Sequence, residues 1–211
     1  NTITGNTGNN ALYGGDGDDK IFSGDGNDTV FSGGGVDTVD LGDGDDILMW
    51  SSANSDFTTG DSTDGGLGND TLMFDGYFVG VGFVVNFVTG TLTNIATVLQ
   101  TFSNFENYDS RLAMWSEEDV IGNGVNNVIY TGGGLNTIDG GAGDDSIFSG
   151  GGNDSIDGGE GNDVLNGGKI QPQQGGHGAD AHRYRALHRF AAGAQQTRRI
   201  RHGNRPGGGQ S

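Results

Sequence analysis

A nine-residue period constrains this chain more than any other feature. It opens with Gly5–Tyr13 (GNTGNNALY), Gly14–Phe22 (GGDGDDKIF), Ser23–Phe31 (SGDGNDTVF), Ser32–Asp40 (SGGGVDTVD) and Leu41–Met49 (LGDGDDILM). A lone unit stands at Gly65–Met73 (GGLGNDTLM). A second block holds two degenerate units, Gly122–Tyr130 and Thr131–Asp139. Three nearly perfect ones follow, Gly140–Phe148, Ser149–Asp157 and Gly158–Asn166. Position eight is always aliphatic: Leu12, Ile21, Val30, Val39, Leu48, Leu72, Ile129, Ile138, Ile147, Ile156 and Leu165. Position six is Asp19, Asp28, Asp37, Asp46, Asp70, Asp145, Asp154 and Asp163, with Asn10, Asn127 and Asn136 in the degenerate units.

One inward aliphatic per nine residues suits a strand of about three residues, because strand side chains alternate between faces. The six residues before it must turn, and glycine there reaches positive φ without steric cost. Each unit is therefore a turn plus a short strand. Two units make one coil, and strands 18 residues apart stack in parallel at about 4.8 Å. The expected fold is all-β, a parallel β-roll. Its aliphatic lining is too thin to hold the coil alone.

The coil places Asp19 over Asp37, Asp28 over Asp46, and Asp145 over Asp163. Carboxylates stacked at strand spacing repel. A hard divalent cation between them reverses the sign. Calcium takes about six to eight oxygens, which two carboxylates and the carbonyls of two glycine-rich turns can supply. Magnesium demands stricter octahedral geometry and sheds water reluctantly. Zinc would want His or Cys, and the repeats hold neither.

Composition closes off other classes. Gly contributes 44 of 211 residues, but without the strict triplet and abundant proline of collagen. The 28 acidic residues fall almost entirely before Ile170, together with only Lys20, Arg111 and Lys169 as cations. Such a body does not bind nucleic acid unaided. No apolar run approaches the roughly 20 residues of a membrane-spanning helix. The absence of Cys removes disulfide frameworks and thiolate sites. The chain opens on Asn1 with no signal-peptide pattern and reads as a piece of a longer protein.

The repeats resemble the repeats-in-toxin (RTX) calcium-binding family over Gly5–Met49, Gly65–Met73 and about Gly122–Gly168. The resemblance implies several Ca2+ ions. In it, the carbonyls of turn positions one and three and Asp six meet those of positions two and four and Asp six, 18 residues on. Carried over, the Asp19/Asp37 site uses the carbonyls of Gly14 and Asp16, and of Gly33 and Gly35. The Asp28/Asp46 site uses Ser23 and Asp25, and Gly42 and Gly44. The Asp145/Asp163 site uses Gly140 and Ala142, and Gly159 and Gly161. Asn10/Asp28, Asn127/Asp145 and Asn136/Asp154 each lack one charge and imply weaker sites. Asp70 lacks a clean partner 18 residues away, and Val125 at position four is the replacement expected to spoil a turn. The family also implies export through a type I secretion apparatus and an extracellular location.

The expected organisation is a repeat block over 1–73, a strand-rich connector over 74–118, a second block over 119–169 and a basic tail over 170–211. Val84–Thr93 alternates around a Thr-Gly turn and predicts a hairpin. The connector is similar to those that link RTX blocks, where Phe102–Asn107 re-enters the roll and keeps one continuous sheet. Gly60–Asp64 faintly resembles a GDS-type hydrolase block, but no His in the body can serve as its base, and a polar turn is expected. Glu117–Asp119 reads as a solvated acidic loop rather than a metal cluster. Trp50 and Trp115 are expected to plug the core. Aromatic residues at position nine point outward, as a ladder for a partner or as a surface that a neighbouring sheet or domain covers. The tail holds seven Arg and all four His without a zinc-enzyme spacing. It reads as an out-of-frame or unrelated segment, poorly ordered, or as an electrostatic attachment to an acidic surface. No H-E-x-x-H, G-x-S-x-G or paired acid/base signature occurs, so the chain is expected not to be an enzyme. The leading function is calcium binding coupled to folding in a secreted module. The alternatives are an accessory module of a secreted protease, lipase or polysaccharide-modifying enzyme, or a stiff adhesin or surface-layer spacer.

Overall fold

A computed structural model describes residues 1–51, 60–77, 82–94, 97–114, 117–168 and 183–184. Among the described residues, every regular element is a strand. Three-residue strands form where the period places them, with the middle residue turned inward: Lys20–Phe22 buries Ile21, and Thr29–Phe31 buries Val30. The flanking turns carry glycine at positions two and four with positive φ, such as Gly15 (91°) and Gly17 (101°).

Successive repeat strands alternate between two sheets, which makes the chain a parallel β-roll; Gly133–Gly134 and Gly151–Gly152 pair as a short third sheet. One sheet runs Thr2–Thr4, Lys20–Phe22, Thr38–Asp40, Asp61–Asp64, Thr97–Ser103, Thr91–Asn94, Phe83–Asn86, Glu118–Ile121, Thr137–Asp139, Ser155–Asp157 and Arg183–Tyr184. The other runs Ala11–Tyr13, Thr29–Phe31, Ile47–Ser51, Thr71–Tyr77, Asn107–Met114, Val128–Tyr130, Ser146–Phe148 and Val164–Asn166. The register is 18 residues per coil within the blocks: Leu12 pairs with Val30, Val30 with Leu48, and Ile147 with Leu165. It widens to 24 where the chain swells after Met49, so Val39 pairs with Thr63 and Leu48 with Leu72.

Both sheets continue through the connector. The expected hairpin is present, with Leu92 opposite Val85 in an antiparallel pair and Gly90 at φ 62° in its turn. Here the aliphatic lining gives way to rings. Trp50 packs edge-on against Phe74 at 5.3 Å, Phe74 lies 5.5 Å from Tyr108, and Phe102 sits between Phe87 and Phe105. These larger side chains pack against one another to fill the section, as close packing requires. Trp50 is a core plug as expected, whereas Trp115 lies outside the described residues.

Two expectations change. Gly60–Asp64 is not a polar turn: Asp61–Asp64 is a strand between Thr38–Asp40 and Thr97–Ser103. Its Thr63 is buried at the level of the aliphatics, which is why the period failed to mark it. The acidic stretch also divides: Glu117 and Asp119 are exposed, but Glu118 is buried. The expectation of a poorly ordered tail falls on residues outside those described, except Arg183–Tyr184, which lie parallel to Ser155–Ile156.

Candidate metal centre

Position six forms a ladder along each edge of the roll. The backbone N–H of one position-six residue donates to the Oδ1 of the position-six carboxylate one coil on. Asp19 donates to Asp37 at 2.9 Å, Asp28 to Asp46 at 2.7 Å, and Asp145 to Asp163 at 3.0 Å. Asn10 donates in the same way to Asp28, Asn127 to Asp145 and Asn136 to Asp154. One oxygen of each carboxylate is thus used by the peptide.

The second oxygen is the informative one. Asp19, Asp28, Asp46, Asp70 and Asp145 are each 1 % exposed or less, and the Oδ2 of each is buried without a hydrogen-bond partner. A buried, unsatisfied carboxylate oxygen costs far more than a satisfied one. Burial, partly offset by the donated amide, pushes Asp46 and Asp145 up to about 6 and Asp70 up to about 7. The next carboxylate along the stack, Asp28 for Asp46 and Asp163 for Asp145, adds to the rise.

Bare glycine makes room beside these oxygens. A Cβ on Gly14 would overlap the Ser32 carbonyl and stand 2.9 Å from Asp19 Oδ2. A Cβ on Gly140 would stand 2.5 Å from Asp145 Oδ2 and 2.7 Å from the Gly158 carbonyl. In both places the nearest atoms are oxygens. Among the described residues, no three His, Cys, Asp or Glu side chains gather as a conventional cluster. Carboxylate and carbonyl oxygens are the donor chemistry of a hard ion.

The turns also bond to one another. Position-two carbonyls accept position-three amides one coil on: Gly15 from Gly34, Gly24 from Asp43, Gly42 from Leu67 and Gly141 from Glu160. The Gly42 carbonyl, one of the oxygens singled out from the sequence, therefore already has a donor and keeps one lone pair for another contact. Asp16 and Asp25 point their side chains to solvent and join the stack by backbone bridges to Gly34 and Asp43. Ala142 bridges to Glu160 in the same way. Gly33, Gly35, Gly44, Gly159 and Gly161 all have positive φ, and Ser23 is fully buried with its hydroxyl on the Leu41 carbonyl at 2.6 Å.

Three features were invisible to the 18-residue reading. Asp70 does have a partner: the Asp46 amide donates to its Oδ1 at 2.8 Å across 24 residues. Asp61 likewise takes the Asp37 amide on Oδ1 and the Gln100 side-chain amide on Oδ2. Asp61 thereby joins the ladder. A second ladder runs along position five with opposite polarity, where Asn27 donates to Asn9 Oδ1, Asp45 to Asn27 and Asn69 to Asp45. The recurrence of Asn or Asp at position five was its signal.

The Asn-bearing turns differ in kind. Asn123 Oδ1 accepts the Val125 amide, and Asn127 Oδ1 accepts the Asn123 amide. Asn6 and Asn10 do the same for Gly8 and Asn6. It is the asparagine at position two, rather than Val125, that closes these turns on themselves. Asn136 sends its side-chain amide to the Ser149 carbonyl and Thr131, while Asp154 Oδ2 accepts the Ser149 hydroxyl at 2.6 Å. At that level the second Asp154 oxygen already has a donor.

Fold and donor set define a class: a β-roll whose turns bind a hard cation. A family model for the RTX calcium-binding nonapeptide repeat matches residues 1–30, 21–48, 121–156 and 148–169. These stretches are repeats of the RTX calcium-binding nonapeptide family. The lone unit at Gly65–Met73 lies outside the matched ranges. No curated protein matches the chain.

Proposed function

We propose that this chain is a calcium-driven folding module of a secreted protein, with no catalytic role of its own. The observation that carries the reading is the row of buried Oδ2 atoms on Asp19, Asp28, Asp46 and Asp145, each lacking a donor. A divalent cation supplies the missing positive charge.

The Asp19/Asp37 ion takes the carbonyls of Gly14, Asp16, Gly33 and Gly35. The Asp28/Asp46 ion takes those of Ser23, Asp25, Gly42 and Gly44. The Asp145/Asp163 ion takes those of Gly140, Ala142, Gly159 and Gly161. The pairing of Asp46 with Asp70 supports a fourth such site across the swollen coil. Because the carboxylates line up only in the rolled chain, ion binding and folding are one equilibrium. In low calcium the acidic repeats repel and expand; in high calcium they roll up. This behaviour suits a chain exported unfolded through a type I apparatus and folded outside.

Circular dichroism with calcium and with chelator tests the reading. The expected result is strand signal in calcium, its loss in chelator, and little recovery in magnesium. An unchanged spectrum in chelator overturns it.

A further inference from the structure

The position-six ladder does not stop where the repeats stop. The Asp70 amide donates to Glu106 Oε2 at 2.8 Å, the contact that every lower level makes to an aspartate. Glu106 belongs to the connector, 36 residues away, and follows no nonapeptide. Around it the local frame matches a repeat level. Gly65 N donates to the Ser103 carbonyl as Gly14 N donates to that of Phe31. Thr71 pairs with Asn107 as Ala11 pairs with Thr29.

What differs is the turn. Only Asn104, Phe105 and Glu106 lie between Ser103 and Asn107, where a repeat has six residues. Asn104 takes φ 56° to make so short a link, the only non-glycine with positive φ among the described residues. The shortened turn lacks the position-two and position-four carbonyls. Glutamate's extra methylene lets the carboxylate reach the stack without them.

The cradle is nevertheless present. Asp70 is fully buried, and its Oδ2 has no hydrogen-bond partner. A Cβ on Gly65 would overlap the Asn104 carbonyl and stand 2.8 Å from that Oδ2. This is the arrangement of Gly14, Ser32 and Asp19 repeated at the seam between block and connector.

We propose that Asp70 and Glu106 hold a further calcium ion, walled by the Gly65–Asp70 turn on one side and by the short Asn104–Glu106 link on the other. The inference rests on the calcium reading above. The short link offers fewer carbonyls, so this ion takes more water ligands and binds more weakly than the ions between two full turns. Its role is to tie the connector to the first block.

The test uses the full chain, with calcium titrated by calorimetry and terbium lifetimes compared in H2O and D2O. Glu106→Gln keeps an acceptor for the Asp70 amide and removes only the charge. The expected result is one ion fewer per chain, lost from the weakest class, with fewer terbium-bound waters and an unchanged strand signal. Glu106→Asp keeps the charge and should retain the ion at reduced affinity. An unchanged ion count in Glu106→Gln overturns this site while leaving the calcium module standing. A wild-type chain that binds no calcium overturns both.

Discussion

Asp46 and Asp70 are 24 residues apart in sequence and one coil apart in space, joined by the Asp46 amide on Asp70 Oδ1 at 2.8 Å. The register widens from 18 to 24 residues at this level, and the carboxylate ladder continues across it. Asp28 and Asp70 therefore hold the same place in the ladder, each taking an amide from the level before and donating one to the level after.

Asp28→Ala and Asp70→Ala should consequently cost similar amounts of bound calcium. A strict 18-residue period would make the Asp70 variant much the milder. Calorimetric ion counts on the two variants decide between a spatial and a sequential stack.

Glycine substitutions should separate conformational strain from crowding. Gly15 has φ 91° and open space around its missing Cβ, so Gly15→Ala carries only the left-handed cost, about 1–2 kcal/mol. Gly33 has φ 94°, and a Cβ there would overlap the Gly15 carbonyl. Gly33→Ala should lower the stability of the calcium-loaded chain by clearly more than Gly15→Ala in denaturant titration. Equal losses would mean that the turns are looser than this packing.

The raised carboxylates set a pH dependence. Asp46 and Asp145 at about 6 and Asp70 at about 7 exceed the ordinary 3.8, so the rolled chain without calcium binds protons more tightly than the unrolled one. Their contribution to the stability of the metal-free roll is complete below the unfolded value and is lost as pH rises through 6 to 7. Metal-free chain should therefore show more strand signal at about pH 4 than at about pH 8. Calcium competes with these protons, so its folding midpoint should fall as pH rises over the same range. A midpoint independent of pH would exclude these carboxylates as ligands.

Removing everything after Lys169 should leave calcium-induced folding intact, with a midpoint within a factor of a few. The tail carries no aliphatic period to bury. Its Arg183–Tyr184 strand adds one rung to the outer edge beside Ser155–Ile156 and no carboxylate to either ladder. Loss of folding on truncation would make the basic tail a true cap.

The outward aromatics stack on one another: Tyr13 on Phe31 at 4.6 Å and Tyr130 on Phe148 at 4.8 Å, with Arg111 over Tyr130. Tyr13→Ala should cost about 0.5–1.5 kcal/mol beyond its lost area. Thermal melts of the calcium-loaded chain measure it.

Period nine alone was enough to specify strand, turn, coil and lining, because each depends on residues near in sequence and repeats with them. Ile21, Val30, Leu48 and Ile147 are buried where that period puts them. The same period identified the carboxylates that stack. It could not place Asp61 or Glu106 on the ladders, because insertions shift their sequence numbers without shifting their height on the roll. Nor could it divide the two oxygens of each carboxylate, since that depends on which amide lies one coil away. The tertiary stack decided both: a parallel coil matches residues by position along its axis, and hydrogen bonds between levels leave one buried oxygen of Asp19, Asp28, Asp46, Asp70 and Asp145 for a cation.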